Sequence, residues 1–190
     1  KEADSLYIYQ PARAYLVNGS SELDETSAGF NGTNAYRGVN PSTGVVMYYQ
    51  LPEVKDSVQI SLEIRDAEGR LVRTFSSKAD STYKKYDGGP PAEPLLSKAK
   101  GLNRFVWNMR YPTMLGIPDV YIESSFRGHK ASPGKYSLTL KLGEQKVSAE
   151  TEILPNPLYA TDAKGYREYH TLMSSMETEL TAMHRMVNSI

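Results

Sequence analysis

The chain has no cysteine. That excludes disulfides, thiolate catalysis and cysteine-ligated metal, and it fits any compartment. It has no long apolar run either. Its longest apolar stretches are a few residues, far short of the ~20 that a membrane helix needs. It lacks an excess of charge of one sign: 22 basic and 22 acidic residues give a net charge of zero. Proteins that live on phosphate contacts show a basic excess or patch. Here lysines and arginines are scattered among acids, so neither nucleic acid nor an anionic membrane surface is an expected partner. Tryptophan occurs once and phenylalanine four times, against 14 tyrosines. Tyrosine suits strands with one buried and one wet face, and it also suits sugar- or protein-contacting surfaces. Burial is the commoner explanation of an aromatic. A chain that opens Lys1-Glu2-Ala3-Asp4 reads as a processed or excised piece. Its 190 residues suffice for one domain with an appendage, or two small domains.

What is present is mostly β pattern. Residues 6–17 read as one or two short strands broken by Pro11, and residues 18–44, rich in Gly, Ser, Asn and Thr, as a long irregular loop. Residues 45–51 are β-prone and stop at Pro52. Residues 58–65 alternate, with Val58, Ile60, Leu62 and Ile64 on one face. Asp66-Ala67-Glu68-Gly69 is a turn with Gly69 suited to positive φ, and residues 70–75 return as a hairpin. Residues 76–100, rich in Lys, Pro and Gly, read as an exposed connection. Residues 102–110 are a strand around Trp107. Loop 113–130 is too apolar for free solvent, with Leu115, Ile117, Tyr121 and Phe126. Residues 135–142 and 146–154 form a second hairpin around Gly143-Glu144. About seven short strands separated by turns predict an antiparallel β-sandwich.

After Pro155-Asn156-Pro157 the pattern changes. Residues 162–190 contain no proline and one glycine, Gly165. Thr161 or Asp162 can cap a helix there. Tyr169, Met173, Met176, Leu180, Met183, Val187 and Ile190 are spaced 4, 3, 4, 3, 4, 3. That is the seam of a heptad repeat. A helix with so narrow an apolar stripe needs a partner surface. Four of the seven methionines lie in this segment, which makes the seam soft and adaptable.

Two resemblances follow from motifs. Asn40-Pro41-Ser42-Thr43, Leu51-Pro52, Asp66-x-x-Gly69-Arg70-x-Val72-Arg73-Thr74, Gly101-x-Asn103-x-Phe105-x-Trp107-Asn108 and Ala131-Ser132-x-Gly134-x-Tyr136 resemble the Ig-like domain of the flagellar hook-capping type. The narrower set Gly101 to Pro112, Pro133-Gly134-Lys135-Tyr136 and Leu154-Pro155-Asn156-Pro157 before a helix is similar to the C-terminal region of sortilin-like, Asp-box (BNR) propeller proteins, often labelled glycosyl hydrolases. In that family Asp usually follows the Trp, where this chain has Asn108, and Asp-Pro-Arg stands where this chain has Asn156-Pro157-Leu158. The Asp-box repeat itself is missing from the sequence, so an enzymatic label attached to the propeller does not carry over. The resemblance implies a bacterial protein, secreted or periplasmic. In it, Trp107 fills the core, Gly69, Gly101 and Gly134 make turns, and Asp66 and Asn103 bond backbone amides in those turns.

No catalytic set stands out. Two carboxylates about 5–10 Å apart can hydrolyse glycosides, but Asp66 and Glu68 share a hairpin turn and read as a turn former and a solvated charge. His129, His170 and His184 show no ligand spacing; His170 and His184 are fourteen residues apart on one helix, about four turns, too far to share a metal. Lys84-Lys85 and Lys98/Lys100 read as a solvated face. No cofactor is expected. The sequence therefore predicts a mainly β chain: an N-terminal strand and long loop over 1–39, an Ig-like antiparallel β-sandwich over 40–157 and a C-terminal amphipathic helix over 158–190. It is expected to act as a non-catalytic accessory domain. Its interaction surface is Leu115, Ile117, Tyr121 and Phe126 with the seam Tyr169, Met173, Met176, Leu180, Met183 and Val187. The expected partner is an upstream propeller domain of the same protein, or a second copy through the helix. A carbohydrate-binding role through exposed tyrosines is the alternative.

Overall fold

Alternation of apolar and polar side chains sets where the strands run, because successive side chains on a strand point to opposite faces. In a computed structural model, which describes residues 5–17, 42–120 and 125–190, eight strands and one helix form. Segment 18–41, with Asn40-Pro41, and Tyr121 lie outside these described residues. Strands β1 (Tyr7–Ile8), β3 (Val45–Leu51) and β6 (Gly101–Trp107) make a three-stranded antiparallel sheet in the order β1-β3-β6. Strands β2 (Ala14–Tyr15), β8 (Gln145–Leu154), β7 (Gly134–Leu142), β4 (Ile60–Asp66) and β5 (Leu71–Ser76) make a five-stranded sheet in that order. Among the described strands only β2 runs parallel to its neighbour.

The inward residues are those the alternation selects. Val45, Met47, Tyr49 and Leu51 on β3 face the core with Phe105 and Trp107 on β6. Ile60, Leu62 and Ile64 on β4 and Tyr136, Leu138 and Leu140 on β7 do so from the other sheet. Together they form one apolar cluster. Edge-to-face rings connect the sheets across it: Trp107 with Tyr136 at 5.4 Å and Phe75 with Phe105 at 4.7 Å. Each such buried side chain contributes about 1.5–3 kcal/mol, so these contacts fix how the sheets meet.

Both predicted hairpins form. Asp66 Oδ1 accepts from the amides of Glu68 (3.1 Å) and Arg70 (2.8 Å), and Gly69 takes φ 79°. Gly143 and Glu144 join β7 to β8 with Leu142 opposite Gln145. The tryptophan strand is shorter than expected. It ends at Trp107, not at Arg110, because Met109 adopts φ 56° and Asn108 Oδ1 accepts the Arg110 amide at 3.2 Å. Asn103 also departs from expectation. It is buried, its Nδ2 donates to the carbonyls of Ala99 (2.8 Å) and Gly101 (3.0 Å), and its Oδ1 accepts from Ser97 Oγ. The connection 77–100 is mostly exposed, but Leu96 enters the core and its amide donates to the Ser76 carbonyl at 2.9 Å.

The helix α1 runs Ala163–Val187. Asp162 is its N-cap, accepting from the Gly165 amide at 2.7 Å. No helix among the described residues is long and apolar enough to cross a membrane. No residue of α1 belongs to the apolar cluster.

Candidate functional site

The heptad seam predicts that Met176, Leu180 and Met183 meet a partner. The helix turns a different face to the β-rich body. Tyr166, His170, Ser174, Glu177, Thr181 and His184 are the less exposed positions. At 3.6 residues per turn this face lies roughly 90–100° round the helix from the seam. The seam residues Tyr169, Met176, Leu180, Met183 and Val187 stay 37–50% exposed, and Met173, on the border, is half-buried.

What receives the helix is the apolar loop after β6, again mostly through polar groups. His129 is the anchor, with its side chain 1% exposed. Glu177 accepts from the His129 amide at 2.6 Å and meets the ring Nδ1 at 2.8 Å. On the other side of the ring, His129 Nε2 lies 2.8 Å from His170 Nδ1. Tyr111 stacks on both rings, at 4.3 Å from His129 and 5.2 Å from His170, and Tyr169 meets His129 edge-on at 6.1 Å. One imidazole of the body is thus held between a carboxylate and an imidazole of the helix.

Further along, His184 is buried and its Nδ1 lies 2.5 Å from the Leu115 carbonyl, with the Phe126 ring at 6.3 Å. A carbonyl only accepts, so Nδ1 carries the hydrogen. Asn188 Nδ2 donates to the Gly116 carbonyl at 2.9 Å, and Ser132 Oγ donates to the Tyr166 carbonyl at 3.3 Å. The loop and the helix are therefore joined, but through His170, Glu177 and His184 and not through the apolar seam. Phe126 is buried under the helix, Leu115 contributes its carbonyl while its side chain is 42% exposed, Ile117 is half-buried, and Tyr121 is outside the described residues.

Burial and the neighbouring His129 hold the His170 imidazole below its ordinary pKa, with Arg70 adding to this and Asp66 and Glu177 opposing it. Burial and then Asp66 push the Tyr111 hydroxyl up. Burial, then Arg127, lowers Arg110.

Two clefts flank the dock. A groove of about 1250 Å³ runs between the connection 78–95, the loop at 111–118 and the helix, with Tyr83, Tyr86, Glu93, Thr113, Glu177 and Thr181 in its walls. A smaller cleft of about 440 Å³ lies between the β4–β5 turn and the first half of the helix. The large groove is lined by three carboxylates, all engaged. Asp80 accepts from the Thr82 hydroxyl (2.7 Å) and amide (2.8 Å), which hold it below its ordinary pKa. Burial opposes ionisation of Glu93, but bonds from Arg73 and Thr113 outweigh it and hold the carboxyl below its ordinary pKa. Glu177 is taken by His129. A proton donor of the kind glycoside hydrolysis requires needs the opposite, a carboxyl with a raised pKa. Ser174 Oγ approaches His170 Nδ1 at 3.4 Å. That is the same nitrogen that bonds His129, so it cannot also act as base toward the hydroxyl. Asp66 and Glu68 are tied to Arg70 at 2.7 and 2.9 Å. Among the described residues no group of three or more His, Asp or Glu side chains is placed to hold a metal ion.

Sequence reasoning weighed His129 and His170 only as metal ligands and did not single out Glu177. One signal was present: His170, Glu177 and His184 repeat every seven residues, a polar heptad beside the apolar one. Their receptor, His129, lies 41 residues before His170 and no local pattern marks it. Comparison with known protein families, with curated proteins and with solved structures finds no match.

Proposed function

We propose that the chain is a non-catalytic interaction module: an Ig-like antiparallel β-sandwich carrying a helix whose apolar seam is its contact surface. One observation carries this reading. The helix is pinned to the body through His170, Glu177 and His184, so the dock leaves Met176, Leu180 and Met183 facing outward. Exposed apolar residues scattered singly need no explanation, but a continuous stripe marks a contact surface. A heptad seam is complementary to another helix, and a second copy of this chain supplies one. An upstream propeller domain of the same protein, implied by the resemblance, is the other source of cover, and with it goes a secreted or periplasmic setting.

Sedimentation equilibrium tests the reading. We expect a concentration-dependent dimer that reverts to monomer when Met176→Lys and Met183→Lys are combined. A strictly monomeric chain at all concentrations would remove self-association and leave only contact with another domain.

A second reading, a carbohydrate-binding module, draws on Tyr9 and Tyr48. They stand on the outer side of the three-stranded sheet, where the Tyr9 amide bonds the Tyr48 carbonyl at 2.9 Å and both rings are exposed. Flat exposed rings with polar neighbours stack on sugars. Affinity electrophoresis in polysaccharide gels separates the readings: retardation lost in Tyr48→Ala supports this one.

A further inference from the structure

We infer that the dock between α1 and the body is a proton-operated latch, in which one shared proton between His129 Nε2 and His170 Nδ1 holds the helix and a second releases it. This concerns what holds the helix to the body, so it stands whether or not the seam binds a partner.

The geometry sets the rule. A hydrogen bond between two imidazole nitrogens 2.8 Å apart needs a donor N–H on one and a lone pair on the other. His129 Nδ1 already carries the hydrogen that the Glu177 carboxylate accepts. A singly charged pair keeps the bond by shifting its protons among His129 Nε2 and the two nitrogens of His170. One proton more makes both rings cations, and two N–H groups then face each other. The rings cannot slide apart in place. Tyr111 stacks on both, Glu177 fixes His129 by its amide and its Nδ1, and the His129 side chain is buried. The strain is relieved by moving the helix. Apolar retention is small, because α1 adds no side chain to the apolar cluster and Phe126 is buried beneath it only at the His184 end. The other ties are the polar contacts of His184, Asn188 and Ser132.

Among the described residues, the charged and titratable groups that face the pair come from three elements. From the helix, Glu177 meets His129 Nδ1 and favours a proton on His170, and Tyr169 meets His129 edge-on. From the loop, Tyr111 stacks on the pair, and Arg110 donates to the Gly128 carbonyl just before His129. Lys130 follows His129 and bonds the Val17 carbonyl at 2.7 Å. From the β4–β5 turn, Arg70 opposes a proton on His170 and Asp66 favours one. His170 is held below its ordinary value of 6.5 in the docked chain, so the docked form takes up protons less readily than the released form. Docking is then at full strength above that value and weakens as pH falls below it.

The absence of cysteine permits a clean test on the full chain. Spin labels at Ser175→Cys on the helix and Glu144→Cys on the β7–β8 turn report their separation. We expect one narrow distance distribution at about pH 8 and a broad, longer one at about pH 5. The docked-to-released ratio should fall about tenfold per pH unit for one proton taken up. The near-ultraviolet signal of Trp107 should persist throughout. His170→Gln, whose amide can pair with His129 but takes up no proton, should stay docked at about pH 5. A distribution unchanged with pH overturns the latch. So does release that coincides with loss of the Trp107 signal, or His170→Gln releasing at the native pH. If His170→Gln fails to dock at all, the imidazole nitrogen shifts of the native chain decide. One shared proton while docked and two on release support the latch, and two protons in the docked form sink it.

Discussion

Arg73 is the residue whose position says most about how the site is built. It sits on β5 with 5% of its surface exposed. Its Nη1 donates to the carbonyls of Arg110 (3.2 Å) and Tyr111 (3.1 Å), Nη2 bonds Glu93, and the guanidinium lies 4.8 Å from the Phe75 ring. It therefore holds the segment that carries Tyr111 under the two histidines. Arg73→Ala leaves two carbonyls and a carboxylate without their donor. The expected loss is about 3 kcal/mol, because Glu93 is partly exposed and can rehydrate. Arg73→Lys should recover less than half of it, since an ammonium cannot reproduce the planar fork. Urea midpoints of the variants measure both. Two hydroxyls make a pH prediction at the same scale. Burial pushes Tyr49 up to about 12 from 10.0, and pushes Tyr136 up further. A raised value means that the folded chain holds the proton more tightly. The stability this contributes is complete below pH 10.0 and is lost as pH rises through the folded values. Urea unfolding on either side of that pH should show the loss, and Tyr49→Phe should shrink it.

Among the elements, the strands were legible and the docking of the helix was not. Ile60, Leu62 and Ile64, and Tyr136, Leu138 and Leu140, announce their inward faces because one-sided burial writes itself as alternation. The end of β6 was misread, because Met109 at positive φ is a choice that neighbouring residues impose and composition does not show. The helix and its cap were visible in the missing prolines and in Asp162. Removing that cap in Asp162→Ala should cost about 1 kcal/mol and fray the first turn, seen as faster amide exchange at Lys164 and Gly165. Apolar periodicity, however, reports which face needs cover and not which face is already held. Here the held face is Tyr166, His170, Glu177 and His184. Its receptors, His129 and the Leu115 carbonyl, lie 48 and 69 residues from Glu177 and His184. A pairing across that separation leaves no periodic mark.

At the scale of the whole molecule, the body and the helix differ in what stabilises them. The apolar cluster runs from Ile8 to Ile153 and includes nothing from α1. The helix is fastened by a few hydrogen bonds, each worth about 0.5–1.5 kcal/mol net, by the Tyr111–imidazole stacking and by its cover over Phe126. In proteins most of a helix's stability comes from packing of its amphipathic face and not from propensity. Two consequences follow, and they separate this arrangement from a helix that completes the core. A chain ending at Asn156 should keep a cooperative unfolding transition and the near-ultraviolet signal of Trp107. Its midpoint should fall only by the value of those bonds, of the Tyr111–imidazole stacking and of the cover over Phe126. The segment 157–190 alone should be largely unstructured by circular dichroism and gain helicity when mixed with the shortened body. If instead the shortened chain loses its cooperative transition, the helix is part of the folding unit. The polar dock would then be a structural seam, and neither a latch nor a separable contact element could be built on it.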